Sequence, residues 1–429
     1  MKKLTRKTWL AIVIFSLFGQ VAWTIENMVL NQFIANELGA SQFDIALMVS
    51  LSAIVATLTT LFLGALSDKL GKRKIFISIG YLIWGITIIC FSLIKKENLE
   101  SWFGIVNGAS LGIGLVIAFD CIMSFFGSTA NDAAFNCWVT EITDDGSRGK
   151  AEGVMSAMPL LSVLVVYGML LFMDYYWLFA ILGIIVLIVG VLGFFIVDES
   201  EVKPNPEGNY FKNIFYGFRP SVIKQNSILY IIFITFGIFC ISNQVFMPYY
   251  VIYLEQQIGE SYVFVMAPAI IVAAIFTIIF GRILDKYKLK ISVIPALALY
   301  FVGLLLLFLL KGTAWIFVGC TIMLMGFLSL TACYQASIRE YVPKDNVGLF
   351  QGIRMFIQVL FPMIIGPWIG ALMCGQNAGI GGVVDSQFSP SSNIYLGGIL
   401  VGLLHLIPLF FVIRKINKTK IENTEATEE

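Results

Sequence analysis

Long apolar runs alternate with short polar breaks along this chain, from near its first residues to Arg414. Each run has roughly 20 residues, the length that an α-helix needs to cross the hydrocarbon core of a bilayer. The pattern predicts an all-α membrane protein with twelve transmembrane helices, at approximately 8–32, 43–65, 74–94, 114–139, 150–172, 175–197, 227–250, 262–283, 291–311, 314–338, 348–372 and 393–414.

A polar break in the middle of the chain divides the helices into six and six. It contains three prolines and separates the sixth apolar run from the seventh. We therefore expect an N-terminal six-helix bundle at 1–197, a cytoplasmic linker at 198–226 and a C-terminal six-helix bundle at 227–414. Residues 415–429 are too polar to be buried, and we expect a disordered cytoplasmic tail there.

The composition supports a membrane protein and argues against several other classes. Hydrophobic residues make up 58% of the chain and charged residues 13%, against about 25% charged in soluble domains. The net charge of +1 suggests no polyanionic partner, and no nucleic-acid motif is present. The seven cysteines form no CxxC pair, so neither a disulfide framework nor a metal site is expected. The first run contains Glu26 and is too long for a signal peptide, so we expect a retained helix.

Basic residues fix the expected orientation. If the N-terminus is cytoplasmic, 24 of the 28 Lys and Arg residues fall on the cytoplasmic side and three on the outer side, while Arg354 lies inside a helix. Lys and Arg are enriched on the cytoplasmic side of membranes. We therefore expect a multi-pass protein of the cell membrane with both termini in the cytoplasm.

One charged motif occurs twice at equivalent breaks. Gly and Asp stand four residues apart, between apolar runs, and a group of basic residues follows them in each half of the chain. The repetition indicates that a six-helix unit has been used twice. We expect this motif to stabilise a closed state rather than to bind a solute. The expected gating residues are Gly64, Asp68, Gly71 and Arg73 in the first copy and Asp285 in the second.

Polar residues inside the apolar runs are the candidate functional residues, because a charge at the bilayer centre costs at least ~2.5 kcal/mol. Asp132 and Asn136 are one helical turn apart and should share a face. Acid and amide groups on one face can hold several hydroxyls of a sugar, although they could instead form a network that joins helices. Arg354 either balances an acid or extends to the interface. The expected solute-binding residues are Asp132, Asn131, Asn136, Trp23, Trp138, Asn243, Gln244 and Gln358, and the expected coupling residues are Glu26, Asp120 and Arg354.

Two stretches resemble known families. The pattern from Gly64 to Lys74 resembles the loop between the second and third helices of major facilitator transporters, which implies two six-helix bundles related by pseudo-two-fold symmetry. The stretch 131–142, with Phe18-Gly19, resembles the melibiose-permease-like family of glycoside–pentoside–hexuronide cation symporters. In that family the matching Asp contacts the sugar, which implies this role for Asp132.

The chain also departs from the melibiose-permease-like pattern. Val21 stands where that family has an acid in helix 1, residues 52–57 contain none of its sodium-binding acids, and Ala157 stands near the place of an expected Arg. A sodium site built in the family's way is therefore not expected. If transport is coupled, we expect protons to move through Glu26, Asp132 or Asp120, and uniport stays open.

These observations predict a secondary transporter, working as a monomer without a cofactor, that moves a sugar or glycoside by alternating access with proton symport. An exporter of amphipathic drugs or lipid-like compounds by proton antiport is the alternative. A membrane enzyme is not expected, because the chain has one isolated His and no nucleophile–base or metal-ligand spacing. The short cytoplasmic segments leave no room for the output domain of a sensor. The outer loop 374–393 indicates no role, and the direction of transport is open.

Overall fold

Twelve helical segments dominate the residues that the computed structural model describes, which are 4–144, 147–199, 216–343, 350–375 and 389–415. All regular structure in these ranges is helical, and each segment is long and apolar enough to cross a membrane. The all-α class and the twelve helices predicted from the sequence are confirmed. In chain order, α1 to α12 are Arg6–Leu38, Gln42–Gly64, Arg73–Phe91, Gly108–Ile142, Arg148–Leu170, Tyr175–Ile196, Ser227–Ile258, Tyr262–Leu284, Ile291–Leu309, Thr313–Tyr341, Gly352–Met373 and Asn393–Lys415.

Several helices are longer than the apolar pattern predicts. α1 continues to Leu38, six residues past the predicted end at 32, because Asn31 and Gln32 are buried within the helix rather than marking its end. Gly39 then ends it with φ 65°. α4 begins at Gly108 rather than at the predicted 114. Asn107 caps this start, since its side chain accepts a hydrogen bond from the Ser110 N–H.

The first charged motif is the end of a helix and not an extended loop. The helix that contains α2 runs to Leu70, and Gly71 ends it with φ 64°, while its N–H donates to the Ser67 carbonyl. This left-handed conformation favours glycine. The next helix begins at Arg73, so the connection itself is only Gly71 and Lys72.

The second charged motif lies in a bend between α8 and α9. The backbone is helical throughout Tyr262–Leu309. The Ser292 hydroxyl nevertheless donates to the Ile283 carbonyl over 3.4 Å, whereas residues nine apart in a straight helix are separated by about 13 Å along the axis. The chain must therefore reverse direction between them, as expected for two consecutive spans.

The described residues group into two compact units, 4–199 and 216–375 with 389–415. In the first unit, α3 and α6 are in backbone contact at glycines: a Cβ added to Gly183 would lie 2.9 Å from the Gly85 carbonyl oxygen. In the second unit, the backbone of Met323 on α10 leaves no room for a Cβ at Gly303 on α9. Small residues allow such close packing of transmembrane helices.

Part of the predicted linker is ordered against the second unit. A 3₁₀ turn, Tyr216–Phe218, and a short helix, Pro220–Gln225, precede α7. The Tyr230 hydroxyl on α7 donates to the Gly217 carbonyl, and Val222 is buried. The rest of the predicted linker, most of the outer loop and the predicted tail lie outside the described residues, at 200–215, 376–388 and 416–429.

Candidate functional site

Three π-helical segments contain several of the polar residues singled out above. Glu26 lies in Ile25–Val29, Asn131 and Asp132 lie in Ser128–Phe135, and Gln358 lies in Phe356–Leu360. π-Helical turns are rare and occur frequently at functional sites. In α11 the Phe361 N–H donates to the Phe356 carbonyl, five residues back. Pro362 follows and has no N–H to donate to the Gln358 carbonyl.

Glu26 and Asp120 form a buried acid pair in the first unit. Glu26 is 5% exposed and Asp120 is 1% exposed. Ser124 on α4 donates to Glu26 Oε1 over 2.7 Å, and the Ser52 side chain on α2 faces Asp120 as a hydrogen-bond partner. The other oxygen of each acid, Glu26 Oε2 and Asp120 Oδ1, is buried without a hydrogen-bond partner. The two carboxyl groups interact electrostatically, and Asp132 adds a third, weaker repulsion at Glu26.

No positive side chain of the described residues neutralises the acid pair, since the ion pairs described in the first unit are Lys7–Asp198 and Arg73–Glu141. Two buried like charges at close range cannot both be ionised without a large cost. The pair is therefore suited to hold a proton or another small cation.

A second polar group surrounds Asn131. The Tyr81 hydroxyl on α3 lies 2.7 Å from the Phe15 carbonyl and 3.2 Å from Asn131 Oδ1, while Asn131 Nδ2 donates to Asp132 Oδ1 over 3.3 Å. A Cβ at Gly19 would lie 2.6 Å from Asn131 Oδ1, so only glycine allows α1 to approach this closely. Phe15, Gly19, Tyr81 and Asn131 thus hold Asp132 in place.

Asn136 is outside this group. It is exposed, and its carbonyl accepts a hydrogen bond from Thr140, while Asp132 is partly buried. Asp132 lies in the π segment that ends at Phe135, and Asn136 is the first residue of the α-helix that follows it. No hydrogen bond between Asp132 and Asn136 is found in the described structure.

The two tryptophans have different environments. Trp23 is partly buried and makes an edge contact with Trp84, with ring centroids 5.2 Å apart. Trp138 is completely buried, stacks on Phe135, and donates its indole N–H to the Asp198 carbonyl over 2.7 Å. The indole N–H and one contact of the ring are therefore used within the first unit, and the assignment of Trp138 to solute binding stays a prediction.

In the second unit, Asn243 and Gln244 lie on α7. Asn243 is buried and its side-chain oxygen has no hydrogen-bond partner. At Gln244 the contact with α11 is very close, because a Cβ at Gly366 would lie 2.7 Å from the Gln244 carbonyl carbon. Gly366 and Gly370 form a GxxxG pattern, typical of close helix packing in membranes.

Arg354 and Gln358 on α11 form a cluster with Gln335 on α10. Arg354 Nη2 donates to Gln335 Oε1 over 2.9 Å, and Arg354 Nε donates to Gln358 Oε1 over 3.2 Å. Gln335 Nε2 also donates to Gln358 Oε1 over 3.2 Å. Arg354 lies in the first turn of the helix that begins at Gln351. Its described partners are amides, so the structure does not show it balancing an acid.

The expected gating residues divide into two groups. Arg73 is buried, forms an ion pair with Glu141 at the end of α4 over 2.6 Å, and donates to Ser67 over 2.7 Å. A Cβ added to Gly64 would lie 3.6 Å from the Cβ of Ala133 in the π segment, which is an ordinary contact distance. Asp68 and Asp285 have helical backbones, but their side chains lie outside the described structure.

Sequence reasoning missed four contributors to these groups. Ser124 could have been found from its position four residues after Asp120, on the same helical face. Ser52, Tyr81 and Glu141 give no such signal, because their partners are on other helices and distant in the sequence.

Residues 10–367 match the family model described as Major Facilitator Superfamily. Among solved structures, a bacterial homolog of the human lysosomal transporter Spinster has a TM-score of 0.70 and 14% identity, covering 95% of this chain and 97% of that one. The nucleoside transporter NupG has a TM-score of 0.70 and 14% identity, covering 93% of this chain and 99% of that one. A D-xylose–proton symporter has a TM-score of 0.69 and 12% identity, covering 93% of this chain and 97% of that one. No curated protein matches the chain.

Proposed function

The chain belongs to the major facilitator superfamily, and we propose that it is a proton-coupled transporter that moves a sugar or glycoside by alternating access. The resemblance of residues 64–74 to that superfamily is therefore confirmed, while the finer resemblance to melibiose-permease-like symporters stays a prediction. We further propose that the protein resides in the cell membrane as a monomer, with both termini in the cytoplasm.

The observation that carries the proton coupling is the acid pair Glu26–Asp120. Both carboxyl groups are buried, each has an oxygen without a hydrogen-bond partner, and no basic side chain of the described residues pairs with them. A proton on one acid removes the repulsion between them and lowers the cost of burial. Binding and release of that proton therefore change the charge of the core of the first unit, which is what coupling requires.

The preference for a hydroxylated solute is based on the Asn131–Asp132 group. Asp132 is fixed by Asn131 and keeps acceptor capacity on its carboxylate. Carboxylate and amide groups in this arrangement suit the hydroxyls of a sugar. Two of the similar structures, at 14% and 12% identity, are a nucleoside transporter and a D-xylose–proton symporter, and both of their solutes carry several hydroxyls.

The test uses purified protein in liposomes that contain a pH-sensitive dye, with a panel of monosaccharides, disaccharides and glycosides. Wild type should take up protons when its solute is added. Glu26→Gln and Asp120→Asn should lose this proton uptake but keep solute exchange between the two sides, because the binding residues are intact. Glu37→Gln removes an exposed acid of the same helix and should behave like wild type.

Two results would overturn the proposal. One is proton uptake in the Glu26 and Asp120 variants equal to that of wild type, which would remove the acid pair from coupling. The other is no response to any sugar or glycoside, with a pH gradient instead driving efflux of a lipophilic cation. That result would favour the exporter.

A further inference from the structure

A short helix, Lys96–Phe103, lies between the end of α3 and the start of α4 and is here called the surface helix. Its apolar residues Leu99, Trp102 and Phe103 stand at positions i, i+3 and i+4 and therefore share one face. The rest of its circumference is polar and is formed by Lys96, Glu97, Asn98, Glu100 and Ser101. Such an apolar stripe, about 100° wide, is stable when it lies against another apolar surface.

The surface helix is fixed beside the first turn of α4. The Lys96 backbone leaves no room for a Cβ at Gly108, and Glu100 Oε1 accepts a hydrogen bond from the Gly108 N–H over 3.2 Å. Leu99 is buried, and a Cβ at Gly112 would lie 3.3 Å from its Cδ1. Gly112 is about one turn inside the apolar span. The surface helix therefore lies at the level where α4 passes from hydrocarbon to headgroups.

The protein covers the first residue of the apolar face and leaves the others exposed. Leu99 is 2% exposed, whereas Trp102 and Phe103 are 60% and 61% exposed. Gly104 ends the helix with φ 61°, and Val106, two residues later, is 98% exposed. Large apolar side chains that adjoin one another at a surface mark an interaction site.

The surroundings of the surface helix favour lipid as its partner. Lys95, directly before the helix, lies over the Tyr176 ring at 4.0 Å from the centroid, so the start of α6 is at the same end of the first unit. Trp177 is 65% exposed there, and Phe172 in the connection before α6 is 87% exposed. Aromatic side chains are enriched where a membrane protein passes through the membrane–water interface.

We propose that the surface helix inserts its apolar face into the outer leaflet of the membrane, in the orientation proposed above, so that Trp102, Phe103 and Val106 lie among the glycerol groups and upper acyl chains of phospholipids. The inference goes beyond the proposed function, since it names a lipid-binding element and holds for any solute. The exposed polar face carries Lys96 and Glu97, which have opposite charges. The binding therefore comes from buried apolar area and needs no anionic lipid.

The test follows tryptophan fluorescence of the purified protein in phosphatidylcholine nanodiscs. The quencher is either bromine on the lipid acyl chains or iodide in the water, which reaches both faces of a nanodisc. The difference between wild type and Trp102→Phe gives the emission of Trp102 alone. Brominated lipid should quench this emission, and the addition of phosphatidylglycerol should leave the quenching unchanged.

Two further variants, made in the Trp102→Phe background, place a reporter on each face of the surface helix. Phe103→Trp should be quenched by brominated lipid as Trp102 is. Glu97→Trp, on the opposite face, should be quenched mainly by iodide. We expect the ratio of lipid quenching to iodide quenching to be at least about threefold higher for Phe103→Trp than for Glu97→Trp. All three positions are exposed, so the substitutions leave the packed core intact.

Four results would overturn the proposal, and all of them leave the proposed transport function standing. Quenching of Trp102 by iodide and not by lipid would place the apolar face in water. Protection of Trp102 from both quenchers would show that a second copy of the chain covers it. Equal quenching ratios for Phe103→Trp and Glu97→Trp would mean that the helix inserts no preferred face. Lipid quenching that requires phosphatidylglycerol would assign the contact to headgroup charge.

Discussion

Two ion pairs of the first unit have the same N–O distance, 2.6 Å, and differ in burial. The side chains of Arg73 and Glu141 are 6% and 14% exposed, whereas those of Lys7 and Asp198 are 46% and 60% exposed. Replacing each basic residue by Met removes the cation and keeps most of the side-chain volume. The two substitutions therefore compare an orphaned carboxylate inside the protein with one in water.

The expected losses of stability differ severalfold. Breaking a buried ion pair costs about 3–5 kcal/mol, and we expect about 3 kcal/mol for Arg73→Met because Glu141 keeps some contact with water. An exposed pair contributes about 0–1 kcal/mol, which is the expected cost of Lys7→Met. Since 1 kcal/mol shifts Tm by about 2–4 °C in a domain of this size, Arg73→Met should lower Tm by ~6–12 °C and Lys7→Met by less than ~4 °C.

The assay is thermal unfolding of the purified variants in detergent, followed by tryptophan fluorescence. The double variant Arg73→Met/Glu141→Gln removes the orphaned charge and should recover a substantial part of the loss. Equal Tm shifts for Arg73→Met and Lys7→Met would refute the argument from burial. A double variant no more stable than Arg73→Met would show that the cost comes from lost packing or from the other contacts of Arg73.

Two further predictions concern packing. Gly183→Ala places a Cβ 2.9 Å from the Gly85 carbonyl oxygen and should cost about 1–3 kcal/mol of stability by overpacking. The control Gly281→Ala, with nothing within 4 Å of its Cβ, should be nearly neutral. Equal effects of the two variants in thermal unfolding would contradict the close contact of α3 and α6. Trp138→Phe removes the hydrogen bond from the indole N–H to the Asp198 carbonyl and should cost about 1 kcal/mol of stability. The KM for the solute should stay unchanged. A raised KM with normal stability would instead indicate that Trp138 contacts the solute.

The sequence predicted the number and class of the helices, because the bilayer sets the length of each apolar run. It predicted their ends less well. Asn31 and Gln32 suggested an end of α1, yet both are buried inside a helix that continues to Leu38. Polarity marks exposure only on average, and a polar side chain can be buried where its own helix offers a partner, as when the Asn31 amide donates to the Asn27 carbonyl over 2.9 Å.

The candidate residues could be found from the sequence, but their surroundings could not. The cost of burying polar groups pointed to Glu26, Asp120 and Arg354 without any knowledge of the fold. The bond from Arg354 to the Gln335 amide depends on the contact between α10 and α11, which no local pattern reports. Glu141 was visible only as a residue of a polar break until the structure placed it against Arg73.

Each π-helical turn has a consequence for tracing the history of this chain. A π turn accommodates one residue more than the α-helix it interrupts, and one residue corresponds to a rotation of about 100° around the axis. A relative that lacks the turn in Ser128–Phe135 would differ from this chain by a one-residue gap inside a transmembrane helix. An alignment that places gaps only in loops would then pair Asn136 with a residue on a different side of the helix. It would report a substitution at Asn136 although the true counterpart lies one residue away.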